Sequence, residues 1–90
     1  MSITVSIPTI LRSFTNNERS VQASGSSVSE VIANLDSQFP GLGDRLIEDG
    51  QLRRFVNIYI NDEDVRFMGN LDAPLVDGDT VTVLPAVAGG

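Results

Sequence analysis

The stretch Ser27-Val28-Ser29-Glu30-Val31-Ile32-Ala33-Asn34-Leu35-Asp36-Ser37-Gln38-Phe39 decides the architecture. Ser27 with Glu30 three residues later forms a capping box, which satisfies backbone N–H groups that a helix start leaves open. Val28, Val31, Ile32, Leu35 and Phe39 follow at i, i+3, i+4, i+7 and i+11. That spacing lays one apolar stripe along a helix of about three turns. Pro40-Gly41 ends it. A stripe on one side only needs an apolar surface to cover it, and the flanking segments supply one.

Upstream, Ile3, Val5 and Ile7 alternate with Thr4 and Ser6 before Pro8, the period-2 pattern of a half-buried strand. Asn16-Asn17 reads as a turn centre, because Asn tolerates left-handed dihedrals. Ser20 to Ala23 then returns as a second strand, with Phe14 tucked over the core edge. Downstream, a short helical turn is expected around Asp44 to Ile47, closed by Gly50. Phe55 to Ile60 is a strong strand with Val56, Ile58 and Ile60 on one face and Phe55, Asn57 and Tyr59 on the other. Asn61 to Asp64 is a polar turn and Val65-Arg66-Phe67 a brief edge strand. Asp77-Gly78-Asp79 turns into Thr80 to Leu84, and Pro85 stops that strand because it lacks a ladder N–H. The expected fold is α+β: a mixed sheet with one main helix packed across it.

Composition bounds the function. The chain has 90 residues, 12 acidic and 6 basic, giving a net charge of −6. All six basic residues are arginine, and Cys, His, Lys and Trp are absent. One domain is the natural count at this length. Without Cys or His there is no zinc finger, disulfide framework, thiol nucleophile or imidazole base, so neither a metal site nor a catalytic set is expected. The negative charge repels phosphate backbones, which argues against nucleic acid as a partner. No apolar run approaches the roughly 18 residues of a membrane span. No basic residue precedes Arg12 and no apolar core of a signal peptide follows it, so a cytoplasmic location and a monomer are the expectations. Asn61-Asp62-Glu63-Asp64 does not match calcium-loop spacing and reads as a solvated turn.

The ending carries the functional signal. Leu84-Pro85-Ala86-Val87-Ala88-Gly89-Gly90 contains no charged side chain, and only small ones follow Pro85. Fully extended, the five residues 86–90 span roughly 17 Å. The division expected is therefore a domain over residues 1–85 and a flexible tail over 86–90. Gly89 and Gly90 leave nothing beyond Cα to block approach to the terminal carboxylate, so Pro85, Ala86, Val87 and Ala88 can thread a narrow tunnel and present it. Tyr59 and Leu84, on the outer face of neighbouring strands, form a candidate docking patch beside the tail root. A carboxylate must be activated before an amine or thiol attacks it, and this chain offers neither Lys nor Cys as an internal attacker.

Together these features resemble the ubiquitin-like β-grasp sulfur carriers of the ThiS/MoaD family. The likeness runs through Val5-Ser6-Ile7-Pro8-Thr9-Ile10-Leu11-Arg12, Arg54-Phe55-Val56-Asn57-Ile58-Tyr59, Asn61-Asp62-Glu63-Asp64-Val65-Arg66-Phe67, Asp77-Gly78-Asp79 and the closing Leu84 to Gly90. The start and middle point to the branch that serves cysteine biosynthesis. The resemblance implies a carrier rather than an enzyme, with no bound cofactor of its own. An E1-like enzyme would use ATP and Mg to adenylate Gly90, and sulfur would displace AMP to leave a thiocarboxylate. A PLP-dependent cysteine synthase would accept the sulfur, and a zinc-dependent peptidase would release the product. Thiamin, molybdopterin or a thio-sugar are compatible acceptors for the same tail. A protein modifier forming isopeptide bonds, or an interaction module with an idle tail, are the other classes left open.

Overall fold

The computed structural model describes residues 2–53 and 56–85. Two strands open the chain, β1 (Ile3–Ser6) and β2 (Ser20–Ala23), paired antiparallel with Val5 opposite Val21. Between them runs a 3-10 segment, Thr9–Thr15, that buries Leu11 and Thr15 and ends on Asn16 at φ 55°. Asn17 follows at φ 67°, so the Asn pair makes the expected left-handed turn.

Helix α1 (Val28–Gln38) starts where the capping box places it. The Ser27 hydroxyl accepts the Glu30 N–H at 3.3 Å. The return half of the box shifts by one residue: Glu30 Oε1 accepts the Ser26 N–H at 2.9 Å and the Ser26 hydroxyl at 3.0 Å. The chain can close this tightly because position 25 is glycine. A Cβ there would lie 2.8 Å from Glu30 Cβ and from the Val31 nitrogen. Val28, Val31, Ile32 and Leu35 are buried as the stripe requires, and Phe39 caps the C-terminal end half-buried.

Helix α2 (Leu42–Leu46) begins two residues ahead of the turn expected at Asp44 to Ile47, because Leu42 and Leu46 both reach the core. Ile47 belongs instead to a small hairpin, β3 (Ile47–Glu48) and β4 (Gln51–Leu52). Its turn is Asp49-Gly50 at φ 54° and 77°, the paired positive dihedrals that two-residue hairpins use. Three strands complete the sheet: β5 (Val56–Ile60), β6 (Glu63–Asp64) and β7 (Thr80–Pro85). The edge strand expected at Val65 to Phe67 is a 3-10 turn, and the strand is the pair before it. Asp64 is the reason: its carboxylate accepts the Arg66 N–H at 2.9 Å and caps the turn, while Val65 buries in the core.

The strand order is β2-β1-β7-β5-β6. β7 lies centrally, parallel to β1 and antiparallel to β5. Inner-face residues line up across these strands: Val5 beside Val81 beside Ile60, and Val83 beside Ile58. The α1 stripe covers those residues, and Leu42, Leu46, Val65, Ala73 and Leu75 close the ends. The mixed sheet with one helix across it is what the sequence patterns implied, and its topology is the ubiquitin-like β-grasp that the resemblance implied. α1 also covers the outer edge of β2. Gln38 Nε2 donates to the Gln22 carbonyl at 3.0 Å, and the Ser24 N–H donates to Asn34 Oδ1 at 3.1 Å. Phe55 and the tail 86–90 lie outside the described residues.

The turn before β7 depends on ionised acid groups. Asp79 accepts the Val76 N–H at 3.0 Å and Asn61 Nδ2 at 2.8 Å. The first of these bonds, aided by the second, lowers its pKa below the usual carboxylate value; Ser26 does the same for Glu30. Groups with depressed folded pKa values stabilise above their unfolded pKa and lose that contribution as pH falls through the folded one. Stability is therefore expected to be flat near neutrality and to decline below about pH 4. Urea midpoints at pH 7 and pH 3 measure the decline, and Asp79→Asn should shrink it.

Candidate functional site

The tail follows the central strand of the sheet in sequence. Pro85 is the last ladder residue of β7, opposite Val56, and β7 is paired on both sides. Gly89, Gly90, Ala86, Val87 and Ala88 themselves fall outside the described residues.

Beside that root, the structure brings the two expected docking residues onto one face. Leu84 stands opposite Asn57, and Tyr59 opposite Thr82, so Leu84 and Tyr59 are diagonal neighbours on the outer face of the sheet. Leu84 is 44% exposed and Tyr59 half-buried. Tyr59 is flanked on its other side by Asp64 of β6.

Sequence reasoning missed the polar frame of this patch. Arg66 lays its guanidinium along Asp64, with Nη2 to Oδ2 at 2.8 Å and Nε to Oδ1 at 3.1 Å. The same Nη2 donates to Asn57 Oδ1 at 2.7 Å, beside Leu84. The Arg66 hydrogen bond lowers the Asp64 pKa; the reciprocal bond and the charge of Asp64, with Tyr59 nearby, raise that of Arg66. A planar fork of this kind fixes the guanidinium in one orientation. The next residue, Phe67, is 89% exposed. The available signal was the Asp64-x-Arg66 spacing of a side-chain-capped turn, overlooked because Val65-Arg66-Phe67 also alternates like a strand.

The acidic residues do not converge on a site. Among the described residues no group of three or more His, Cys, Asp or Glu is placed to hold a metal ion. Asp64 is paired with Arg66. Asp77 accepts the Ser2 N–H at 2.6 Å and Asp79 is committed to its turn. Among the described residues no helix is long and apolar enough to cross a membrane.

The described site is a Leu84–Tyr59 pair framed by Arg66, Asp64 and Asn57 at the end of β7. Comparison with known proteins gives the family. The ThiS family model matches residues 5–90. The chain belongs to the ThiS family. It is 55% identical over 93 residues to the sulfur carrier protein CysO of Mycobacterium tuberculosis, covering 100% of both chains. The fold superposes with a TM-score of 0.93 on a chain of the Amycolatopsis orientalis BexX/CysO complex, at 56% identity and covering 98% of this chain and 99% of that one. It is also 41% identical over 64 residues to small archaeal modifier protein 3 of Haloferax volcanii, covering 71% of this chain and 70% of the relative. Membership places this ThiS-family chain among small sulfur carrier proteins rather than catalysts.

Proposed function

We propose that the Gly90 carboxylate is the chemical end of this protein and that it carries sulfur as a C-terminal thiocarboxylate. The observation that carries this reading is the full-length likeness to CysO, with the family match extending through Gly89-Gly90. An E1-like enzyme with Mg-ATP makes the Gly90 acyl-adenylate, releasing pyrophosphate. Sulfur then displaces AMP. Ala86, Val87 and Ala88 follow Pro85 through the enzyme's tunnel, while the Tyr59 and Leu84 patch holds the domain outside.

The proposed acceptor is a PLP-dependent cysteine synthase. The thiocarboxylate is a soft nucleophile that adds to an aminoacrylate made from an activated serine such as O-phosphoserine. An S-to-N acyl shift gives a carrier–cysteine amide, and a zinc-dependent peptidase cuts it to regenerate Gly90. Sulfur-loaded carrier incubated with such a synthase and O-phosphoserine should become heavier than the unloaded acid by one cysteinyl residue. Loaded carrier that keeps its sulfur there, but surrenders it to a thiamin, molybdopterin or thio-sugar synthase, reassigns the acceptor.

The likeness to small archaeal modifier protein 3 supports a second reading, in which the activated tail forms isopeptide bonds with target lysines. High-mass conjugates in a lysate supplied with ATP distinguish it.

The docking patch makes its own prediction. Leu84→Asp puts a charge at the centre of a patch that must desolvate on binding. Affinity for the activating enzyme, by calorimetry, should fall about tenfold or more. An unchanged affinity removes Leu84 from the interface.

A further inference from the structure

Four of the five arginines described in the structure are used in ways suited to arginine. Arg66 forks onto Asp64. Arg53 donates Nε to the Asp44 carbonyl at 2.8 Å, and Arg12 donates Nε to the Ile7 carbonyl at 3.1 Å. Arg45 stacks 5.5 Å from the Phe14 ring centroid. Across all 90 residues there is no lysine and no cysteine.

Two of these arginines lie near the tail root. The Val56 N–H donates to the Arg53 carbonyl at 3.1 Å, and Val56 faces Pro85. Three residues span at most about 11 Å and the ladder adds about 5 Å, within the roughly 17 Å reach of a five-residue tail. Arg66 touches Asn57, the residue opposite Leu84. An amine at either position would meet the activated carboxyl at an effective concentration of about millimolar. A guanidinium stays protonated and does not attack. The remaining amine is the α-amino group, and the first described residue, Ser2, lies at the opposite end of the sheet. Ser2 sits beside the Asp77-Gly78 turn, accepting the Gly78 N–H at 2.9 Å, and Thr4 pairs with Thr80. From Thr80 to Pro85 is about 17 Å of strand, so the tail would have to run straight back along β7 to reach it.

Resting on the reading that Gly90 is activated, we propose that this chain is built without an acceptor for its own acyl group. It neither closes into a ring nor links to further copies through side-chain amides. The reaction avoided is attack of an amine lone pair on the Gly90 carbonyl, forming C–N, breaking the C–O bond to AMP and releasing a proton. That step would consume the terminus permanently. An external sulfur nucleophile therefore meets no side-chain amine or thiol of this chain, and any side-chain amide conjugate must draw its amine from another protein.

The test activates Gly90 chemically, so it does not depend on any enzyme. The 90-residue chain is released from a self-splicing intein fusion by mercaptoethanesulfonate as a C-terminal thioester. It is then incubated at micromolar concentration and mildly basic pH, and followed by intact mass. Wild type should give hydrolysed acid alone. Arg53→Lys and Arg66→Lys, both on substantially exposed side chains, should give a product one water lighter than the acid. At least one variant should form this product about tenfold or more above wild type, as the effective concentration implies. Cyclised or amide-linked dimeric wild type at a rate matching hydrolysis overturns the proposal. So does the absence of amide from both lysine variants, since a lysine would then have been harmless. If the thioester pattern holds while enzymatic sulfur loading fails, the sulfur-carrier reading falls and this inference stands.

Discussion

Appending one residue after Gly90 is expected to abolish sulfur loading. The adenylating enzyme must hold the carboxylate in line with the α-phosphate of ATP, with reacting atoms about 3–3.5 Å apart. An extra residue moves the carboxyl by about 3.4 Å, a full displacement on that scale. Gly90→Ala leaves the carboxyl in place but sets a Cβ beside it, and a misplacement of about 1 Å can cost on the order of 100-fold in rate. Gly89→Ala should be milder in the same direction. Thermal or urea midpoints should not move, because these residues lie beyond the last ladder pair at Pro85 and Val56. Adenylation, read as ATP–pyrophosphate exchange, separates the cases: near-normal exchange by the extended protein would show that Gly90 is not the registered end.

The second large effect is on the fold. Leu35 is 1% exposed at the centre of the α1 stripe, over the inner face of β1, β7 and β5. Leu35→Ala removes its apolar contacts and leaves a cavity that the rigid sheet fills poorly, costing about 2–5 kcal/mol. Much of the stability of a domain this small would be lost. Urea unfolding should show a lower midpoint with an unchanged slope. A loss below about 0.5 kcal/mol would place Leu35 outside the core, since ordinary surface changes fall in that range.

The parts of this fold visible in the sequence are those with a strong local period. The α1 stripe and cap, the alternation of Ile3, Val5 and Ile7, and that of Val56, Ile58 and Ile60 each declare their buried face within a few residues. Val56 remains half-buried because it lies at the end of its strand. What was not visible lies in irregular turns and in contacts that only packing creates. The 3-10 segment Thr9–Thr15 buries Leu11 yet leaves Ile10 68% exposed, which fits neither helical nor strand spacing. Val65 looked like strand because it is apolar, but the Asp64 cap bends the backbone away. The proposed role of the Gly-Gly end is argued from missing side chains in the sequence and lies outside the described residues. The Arg66, Asp64 and Asn57 frame was not legible, because Asn57 meets Arg66 only once β5 and the turn after β6 are packed together.

The most direct test of the central claim is intact mass after incubation with ATP, Mg, sulfide and an E1-like activating enzyme from a sulfur carrier system. Conversion of the terminal COOH to COSH should shift the protein by one oxygen-to-sulfur exchange, and the shift should localise to the C-terminal peptide ending in Gly90. An unshifted mass, with an enzyme that loads its own carrier under the same conditions, would contradict the assignment.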